Sequence, residues 1–271
     1  MTSQVMVSPF GVLLREWRAA RHISQLHLAL SANVSSRHLS CVETGRAQPS
    51  PELIERLAEA LDIPFRERNA LLIAAGHAPG YRETDFHAPE MAKARGAIEL
   101  ILKHQEPYPA IVMSRQWDLL MVNQGAARVF GWIRGGPSAE RNVIRQAFDP
   151  RGLRPYIVNW SEVAADMVRQ LQSDVAAAPH DPRPRALLNE VLASPDLPAH
   201  GWADAPANPL WHAHYRKDGR DVRFFWTITT FGTAQDVTLQ ELRIECSFPA
   251  DEATAEWCQS LAREASPALV R

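Results

Sequence analysis

Long apolar runs are missing from this 271-residue sequence. No stretch approaches the ~18 to 20 apolar residues that carry a helix across a bilayer, so no membrane role is expected. The N-terminus, MTSQVMVSPF, has no basic segment followed by an apolar core, so nothing there reads as an export signal and a cytoplasmic protein is expected. Cysteine is scarce. Its three copies, Cys41, Cys246 and Cys258, are odd in number and follow no metal or redox spacing, which points to reduced thiols. There is no Gly-x-Ser-x-Gly elbow, no phosphate-cradling glycine loop and no His-Glu-x-x-His. Those absences leave catalysis unsupported and imply no cofactor. Net charge is only −2, so the overall balance does not announce a nucleic-acid partner.

What is present is the composition of a globular protein, 46% hydrophobic and 22% charged, at a length that suits two domains. The charge is unevenly placed. Residues 10–50 hold five arginines (Arg15, Arg18, Arg21, Arg37, Arg46) against Glu16 and Glu43, a balance of +3. Residues 51–76 hold three arginines against five acids, a balance of −2. A positive face on the first segment is where phosphate contacts would be made.

That first segment reads as five short helices. Phe10 to Arg21 repeats apolar groups at Phe10, Leu13, Leu14 and Trp17. Ser24 can cap a second helix from Gln25 to about Ala32, with Leu26, Ala29 and Leu30 available to the core. Asn33 occupies the following turn, where a left-handed backbone is expected. Ser35 caps a third helix that ends near Glu43, with Gly45 reversing the chain. Pro49-Ser50-Pro51 starts a fourth, Glu52 to Leu61, and Pro64 opens a fifth, Phe65 to Ala75, stopped by Gly76. Leu39 and Val42 point inward from the third helix and leave Ser35, Ser36, Arg37 and Cys41 on a polar face. A helix of that kind fits the major groove of DNA.

The segment resembles the five-helix DNA-binding domain of the lambda repressor/Cro type, the xenobiotic response element family. Arg18, Ser24-Gln25, Ala29, Asn33 (usually Gly), Leu39, Val42, Glu43, Gly45, Arg46 and Pro49-Ser50 carry the resemblance. It implies that Ser36, Arg37 and Cys41 face base edges and that Gln25, Ser35, Thr44 and Arg46 hold phosphates. Ser40 completes the DNA-facing set, and Arg18 is expected to pair with Glu43. Arg37 suits a bidentate contact to guanine N7 and O6, which contributes roughly 1–3 kcal/mol of discrimination.

HAPGYRETDFHAPE after Gly76 is rich in proline and turn residues and reads as a linker. Pro89 to His104 recovers helical spacing through Met91, Ile98, Ile101 and Leu102; it suits a connector, a dimer surface or simply the first helix of a second domain. Two short strands follow, Ala110 to Met113 and Leu119 to Val122, around the turn Arg115-Gln116-Trp117-Asp118. Asn123 caps a helix through Phe130 that Gly131 is expected to end. Helices are expected over Asn142–Phe148, over Trp160–Ala176 with Ser161 as cap, and from Asp181-Pro182 to before Pro195. Strands are expected over Trp211–Arg216, Arg223–Phe231 and Leu239–Phe248, with Asp218-Gly219 turning the first pair as a hairpin. Glu252–Ala265 closes the chain as a helix.

The strand-turn-strand-helix opening resembles a PAS sensor domain. Over about residues 10–262 the chain resembles MmyB-like regulators, on EPYPAIVMSRQWDLLMVN, AFDPRGLRPYIVNWSEVA and TITTFGTAQDVTLQELRIECSFPADEAT. The expected fold is α+β. An all-α DNA-binding bundle (residues 8–78) and a linker with a connecting helix (79–105) precede a PAS-like domain with an antiparallel sheet of about five strands (106–265). The resemblance implies a double-stranded DNA operator and an apolar, fatty-acid-like effector, and a homodimer is expected because it would place two recognition helices in successive major grooves ~34 Å apart. Candidate pocket residues are Trp117, Leu119, Phe130, Trp160, Phe224, Trp226, Ile228 and Phe231. Two other readings stay open: a second domain that docks a protein partner and takes no small ligand, and a fused enzyme. His212 and His214, on one strand face, are the only pair that would suggest a metal, and no third ligand stands at diagnostic spacing.

Overall fold

The computed structural model describes residues 8–197 and 210–264. The first seven residues, on which the expectation about an export signal rests, and Ala265, the expected end of the last helix, lie outside them. No helix among the described residues is long and apolar enough to cross a membrane. The chain forms two compact units. One holds the chain up to Thr84 together with Asp174–Pro182 and Thr233–Gln240; the other holds the rest.

In the first unit five helices surround one core: α1 (Pro9–Ala20), α2 (Gln25–Ser31), α3 (Ser36–Glu43), α4 (Pro51–Ala60) and α5 (Phe65–Ala74). The same local chemistry starts four of them. Ser8, Ser24, Ser35 and Ser50 each accept, through the side chain, a hydrogen bond from the amide three residues on. Each satisfies a donor that the helix cannot, for roughly 1 kcal/mol apiece. The same chemistry also ends all five. His22, Asn33, Gly45, Asp62 and Gly76 take positive φ, and the next amide in each case returns to a carbonyl five residues back, as in Ile23 to Arg18, Val34 to Ala29 and Ile63 to Ala58. Asn33, at φ 51°, performs here what a glycine would at lower strain.

The core of this unit is built from Phe10, Leu14, Trp17, Leu28, Ala29, Leu39, Val42, Ile54 and Leu57 among others. The expectation that Leu26 and Leu30 join it is wrong. They are 60% and 73% exposed, and Ala29, as expected, is buried together with Leu28 and Ala32. Packing against α3 and α4 sets the rotation of this short helix, and only the face bearing those three meets them. The two later segments of the unit lie against the same bundle. Gln240 accepts the Phe65 amide at 2.8 Å, capping α5 where Pro64 has no side-chain acceptor. Asp236 accepts both the amide and the hydroxyl of Thr84, and the His180 ring meets Trp17 edge-on.

The second unit begins with a 3-10 turn at Pro89–Met91 and α6 (Ala92–His104). Strands β1 (Ala110–Met113) and β2 (Leu119–Val122) lead to α7 (Gln124–Arg134), α8 (Val143–Phe148), α9 (Trp160–Ala177) and α10 (Pro182–Leu192). Strands β3 (Trp211–Lys217), β4 (Arg220–Thr229) and β5 (Arg243–Pro249) and helix α12 (Glu252–Glu264) complete it, while helix α11 (Val237–Glu241), up to Gln240, and the end of α9 from Asp174 fall to the first unit. The strands form one sheet in the order β2-β1-β5-β4-β3, with every pairing antiparallel. Asp218 and Gly219, both at positive φ, turn β3 into β4.

Several expected boundaries move, and the strand expected over Arg223–Phe231 runs over Arg220–Thr229. Gly131 does not end α7, which runs on to Arg134 and leaves through Gly135 at φ 82°. The expected strand from Leu239 begins as a helix instead, because the Asp236 carboxylate accepts the Thr238 and Leu239 amides and caps α11. Trp160 is itself the first residue of α9, two positions earlier than a Ser161 cap allows. One face of the sheet carries Ile111, Met113, Ala213, Tyr215, Val222 and Phe224, and it buries them against Val129, Ile133, Ile144, Val163, Val168 and Leu187 of the helices. Burial of each such side chain contributes on the order of 1.5–3 kcal/mol.

Candidate functional site

The outward face of α3 is set by what ties down its end. Glu43 is 3% exposed. Its carboxylate accepts from Arg18 Nε at 2.9 Å and Nη2 at 3.3 Å, and from Gln25 Nε2 at 2.8 Å. Arg15 Nη1 donates to the Glu43 carbonyl at 2.7 Å. One buried carboxylate thus joins α1, α2 and α3. Gly11 makes the close approach possible, since a Cβ there would stand 2.1 Å from the Glu43 carbonyl oxygen. Leu39 and Val42 are wholly buried, so the helix cannot rotate without exposing them, and Ser36 and Arg37 stay exposed.

The five arginines of this region divide cleanly. Arg15, Arg18 and Arg21 donate within the bundle, Arg21 to the Leu61 and Asp62 carbonyls. Arg37 and Arg46 are exposed, and their guanidinium groups make no hydrogen bond or ion pair among the described residues. They stand on either side of α3, one in its first turn and one just past its end. The exposed Ser35 side chain accepts the His38 amide, which leaves its hydroxyl proton available to donate.

The second unit contains a cavity of about 540 Å³ between the sheet and its covering helices, within the range of small-molecule sites. Its apolar wall comes from Ile111, Leu119, Val163, Met167 and Phe224, with Trp117, Phe130, Trp211 and Trp226 as the aromatic part. Trp117 and Trp211 stack at 6.3 Å, and Trp226 meets Trp211 edge-on. Trp117 takes φ 69°, an uncommon conformation for so bulky a residue. It is held there by burial to 1% exposure and by the hydrogen bond from the Val143 amide to its carbonyl.

The wall also carries Arg134, Gln146, Tyr215, Glu245 and Ser247. Register explains why polar groups sit there. Glu245 pairs with Ile111 on one side and Ile228 on the other, and Ser247 pairs with Trp226. These residues of β5 therefore share the inner face, while Ile244 and Cys246 point the other way. Glu245 is 8% exposed, and burial raises its carboxyl to about 7. Burial also raises the Tyr215 hydroxyl, with Glu245 adding to the effect and Arg134 opposing it. Desolvation lowers the Arg134 guanidinium, whose Nη1 donates to Gln146 Oε1 at 3.1 Å.

Residues 94–261, well over half of the chain, match the family described as the MmyB-like transcription regulator ligand binding domain. The chain belongs to this family. In this MmyB-like regulator residues 9–71 also match a helix-turn-helix domain family. It is 39% identical over 85 residues to an uncharacterized HTH-type transcriptional regulator, RghRB, of Bacillus subtilis, across 31% of this chain and 59% of that protein. It is 32% identical over 125 residues to the HTH-type transcriptional repressor RghR of the same organism, across 42% and 85%. Identity to the transcriptional regulator ClgR of Mycobacterium tuberculosis is 33% over 87 residues, across 32% and 70%.

Among the residues singled out from sequence, the MmyB-like chain gathers Trp117, Leu119, Phe130, Phe224 and Trp226 around the cavity. Trp160, Ile228 and Phe231 do not line it. Trp160 is 6% exposed and packs on Phe148, with its indole N–H donated to the Asp196 carbonyl. Ile228 sits near the end of β4 and is 38% exposed, beyond the reach of the covering helices. Phe231 follows β4 and is half-buried in the loop. Of the expected phosphate ligands, Gln25 directs its amide to Glu43, and the Thr44 hydroxyl donates to the Ser40 and Cys41 carbonyls. Ser40 and Cys41 are half-buried on α3. His212 and His214 face separate carboxylates, Glu162 at 2.9 Å and Asp221 at 2.8 Å, and no group of metal-ligating residues occurs among the described residues.

Sequence reading missed Arg134, Tyr215 and Glu245. The signal for Glu245 was its place in RIECSF, between apolar residues and in phase with Ser247. Alternation gives Glu245 no reason to face inward, since Ile244 and Cys246 on the opposite phase are the apolar residues. In fact four consecutive residues of β5 are buried.

Proposed function

We propose that this regulator binds a double-stranded DNA operator as a homodimer, and that an apolar, fatty-acid-like small molecule in the cavity modulates the binding. In this reading Arg37 reads a guanine edge, with Ser36, Ser40 and Cys41 close against neighbouring bases. Ser35 and Arg46 hold phosphates, and Gln25 and Thr44 serve chiefly to set the helix in place. Two copies would lay their α3 helices in successive major grooves about 34 Å apart, on a pseudo-palindromic site. The observation that carries the reading is the contrast among the arginines: three are engaged within the bundle, and Arg37 and Arg46 flank α3 with their guanidinium groups unengaged.

The domain boundaries at 79–105 and 106–265 fit this division of labour, with DNA contact before the linker and effector binding after it. A route between the two functions is provided by the chain itself. Asp236 and Gln240 belong to the DNA-binding unit, and β5, which carries Glu245, starts at Arg243. An effector switches the protein only if it binds one arrangement better than the other.

The test is selection of duplexes from a random pool, followed by anisotropy titrations of the selected duplex and an unrelated one. Arg37→Ala should weaken the selected duplex by about 1–3 kcal/mol and leave the unrelated duplex nearly unchanged. Equal losses on both would make Arg37 a phosphate contact. Arg46→Ala should lower the salt dependence of both by about one charge. Native mass spectrometry with added fatty acids reads the effector half; a bare mass and no thermal shift would remove it.

A further inference from the structure

We propose that the cavity takes an apolar molecule bearing a hydroxyl or carbonyl oxygen within its body, set against Glu245, and that it discriminates against an unsubstituted hydrocarbon chain. The inference rests on reading the cavity as an effector site and deepens it by naming what the effector must carry.

Three groups at or beside the wall of the cavity lack a partner among the described residues. The Glu245 carboxyl makes no hydrogen bond although it is buried in the middle of the sheet. The Tyr215 hydroxyl makes none either. The Trp226 indole N–H, diagonal to Glu245 across the β4–β5 pairing, is buried and unpaired. Arg134 adds a fourth, its Nε–H, buried and unpaired above the same cavity. A methylene chain laid against these groups would leave each of them desolvated and unsatisfied, and such groups are costly to leave so.

The kinds of group decide what would satisfy them. The indole and guanidinium N–H groups can only donate, and the Tyr215 hydroxyl and a neutral Glu245 carboxyl can donate as well as accept. The ligand must therefore supply acceptor oxygens. A ligand amine would find one acceptor at Glu245, but it would meet donors elsewhere and the Arg134 cation on the same wall. A hydroxyl both accepts from these donors and returns its proton to Glu245; a carbonyl accepts alone. Burial holds Glu245 protonated to near neutrality, which suits a neutral oxygen and not a cation.

The experiment uses the full chain and matched probes: octadecanoic acid and its 6-, 10- and 12-hydroxy and 12-keto forms, titrated by calorimetry. At least one oxygenated chain should bind tenfold or more tightly than octadecanoic acid. Glu245→Leu should abolish that preference by binding the plain chain better and the oxygenated chain less well. Glu245→Gln, a neutral hydrogen-bonding group of the same shape, should retain it; it is also the variant to read if the leucine chain fails to fold. Equal binding of plain and oxygenated chains by the unaltered protein overturns the proposal while leaving the effector site in place. So does a preference untouched by Glu245→Leu. If no chain of either kind binds, the effector reading itself falls and this inference with it.

Discussion

The most exacting perturbation of the DNA-reading unit is removal of the Glu43 carboxylate. Glu43→Ala takes away the acceptor of two Arg18 donors and one Gln25 donor, at 2.9, 3.3 and 2.8 Å. The two charged partners differ in burial: the Glu43 side chain is 3% exposed and that of Arg18 is 19%. Loss of one partner from a fully buried pair costs about 3–5 kcal/mol, most of it from the charge left behind. Arg18 retains some access to water and one other acceptor, the Ile23 carbonyl at 3.1 Å. The expected destabilisation is therefore lower, about 2–3 kcal/mol for Glu43→Ala. A double-mutant cycle with Arg18→Ala isolates the pair, and its coupling should reach about 1.5–3 kcal/mol. Urea unfolding of the four proteins, followed by tryptophan fluorescence and circular dichroism, supplies the numbers. A coupling below about 0.5 kcal/mol, the range of exposed surface pairs, would refute the claim that this carboxylate anchors α3.

Two further predictions come from single positions. Gly11→Ala should destabilise the protein by about 1–3 kcal/mol, since its Cβ would stand 2.1 Å from a backbone carbonyl oxygen that cannot move aside without shifting α3; an unchanged melting temperature would contradict the close approach of α1 and α3. The Glu245 carboxyl, raised from 4.5 to about 7 by burial with Tyr215 and Arg134 nearby, contributes stability that is fully present below pH 4.5 and is lost as pH rises through 7. The loss across that window should be on the order of 3 kcal/mol. Glu245→Gln should flatten the profile, as read by chemical unfolding between pH 4.5 and 8; identical profiles for both proteins would place the ionised carboxylate in contact with water.

Much of the first unit was legible because its signals are local. Ser24 and Ser35 announce helix starts through their own side chains, and Asn33 and Gly45 announce reversals through their backbone freedom, so no knowledge of distant residues is needed. Leu26 and Leu30 misled because apolar spacing in a seven-residue helix fits more than one face, and only tertiary contact chooses between them. The expected strands all appear in the sheet, but the reading failed at Leu239, where the Asp236 cap overrode an apolar pattern that reads as a strand. The cavity was legible in its aromatic residues only in part. Trp160 has the same composition signal as Trp117, yet one fills the core and the other walls the cavity. Glu245 was hidden altogether: a carboxyl on an inner face violates the rule that reads polar phases as solvent, and such violations concentrate at sites with a function.

In the proposed function, occupancy of the cavity sets operator affinity. The decisive measurement is the affinity of the delipidated full chain for its selected duplex, taken with and without a saturating cavity ligand, in parallel with a variant whose cavity is filled by Ala126→Leu, a lining residue one turn of α7 before Phe130. A change of fivefold or more in the unaltered protein, absent from the filled variant, is the predicted result. The same affinity with and without ligand, in a protein shown by calorimetry to bind that ligand, would contradict it.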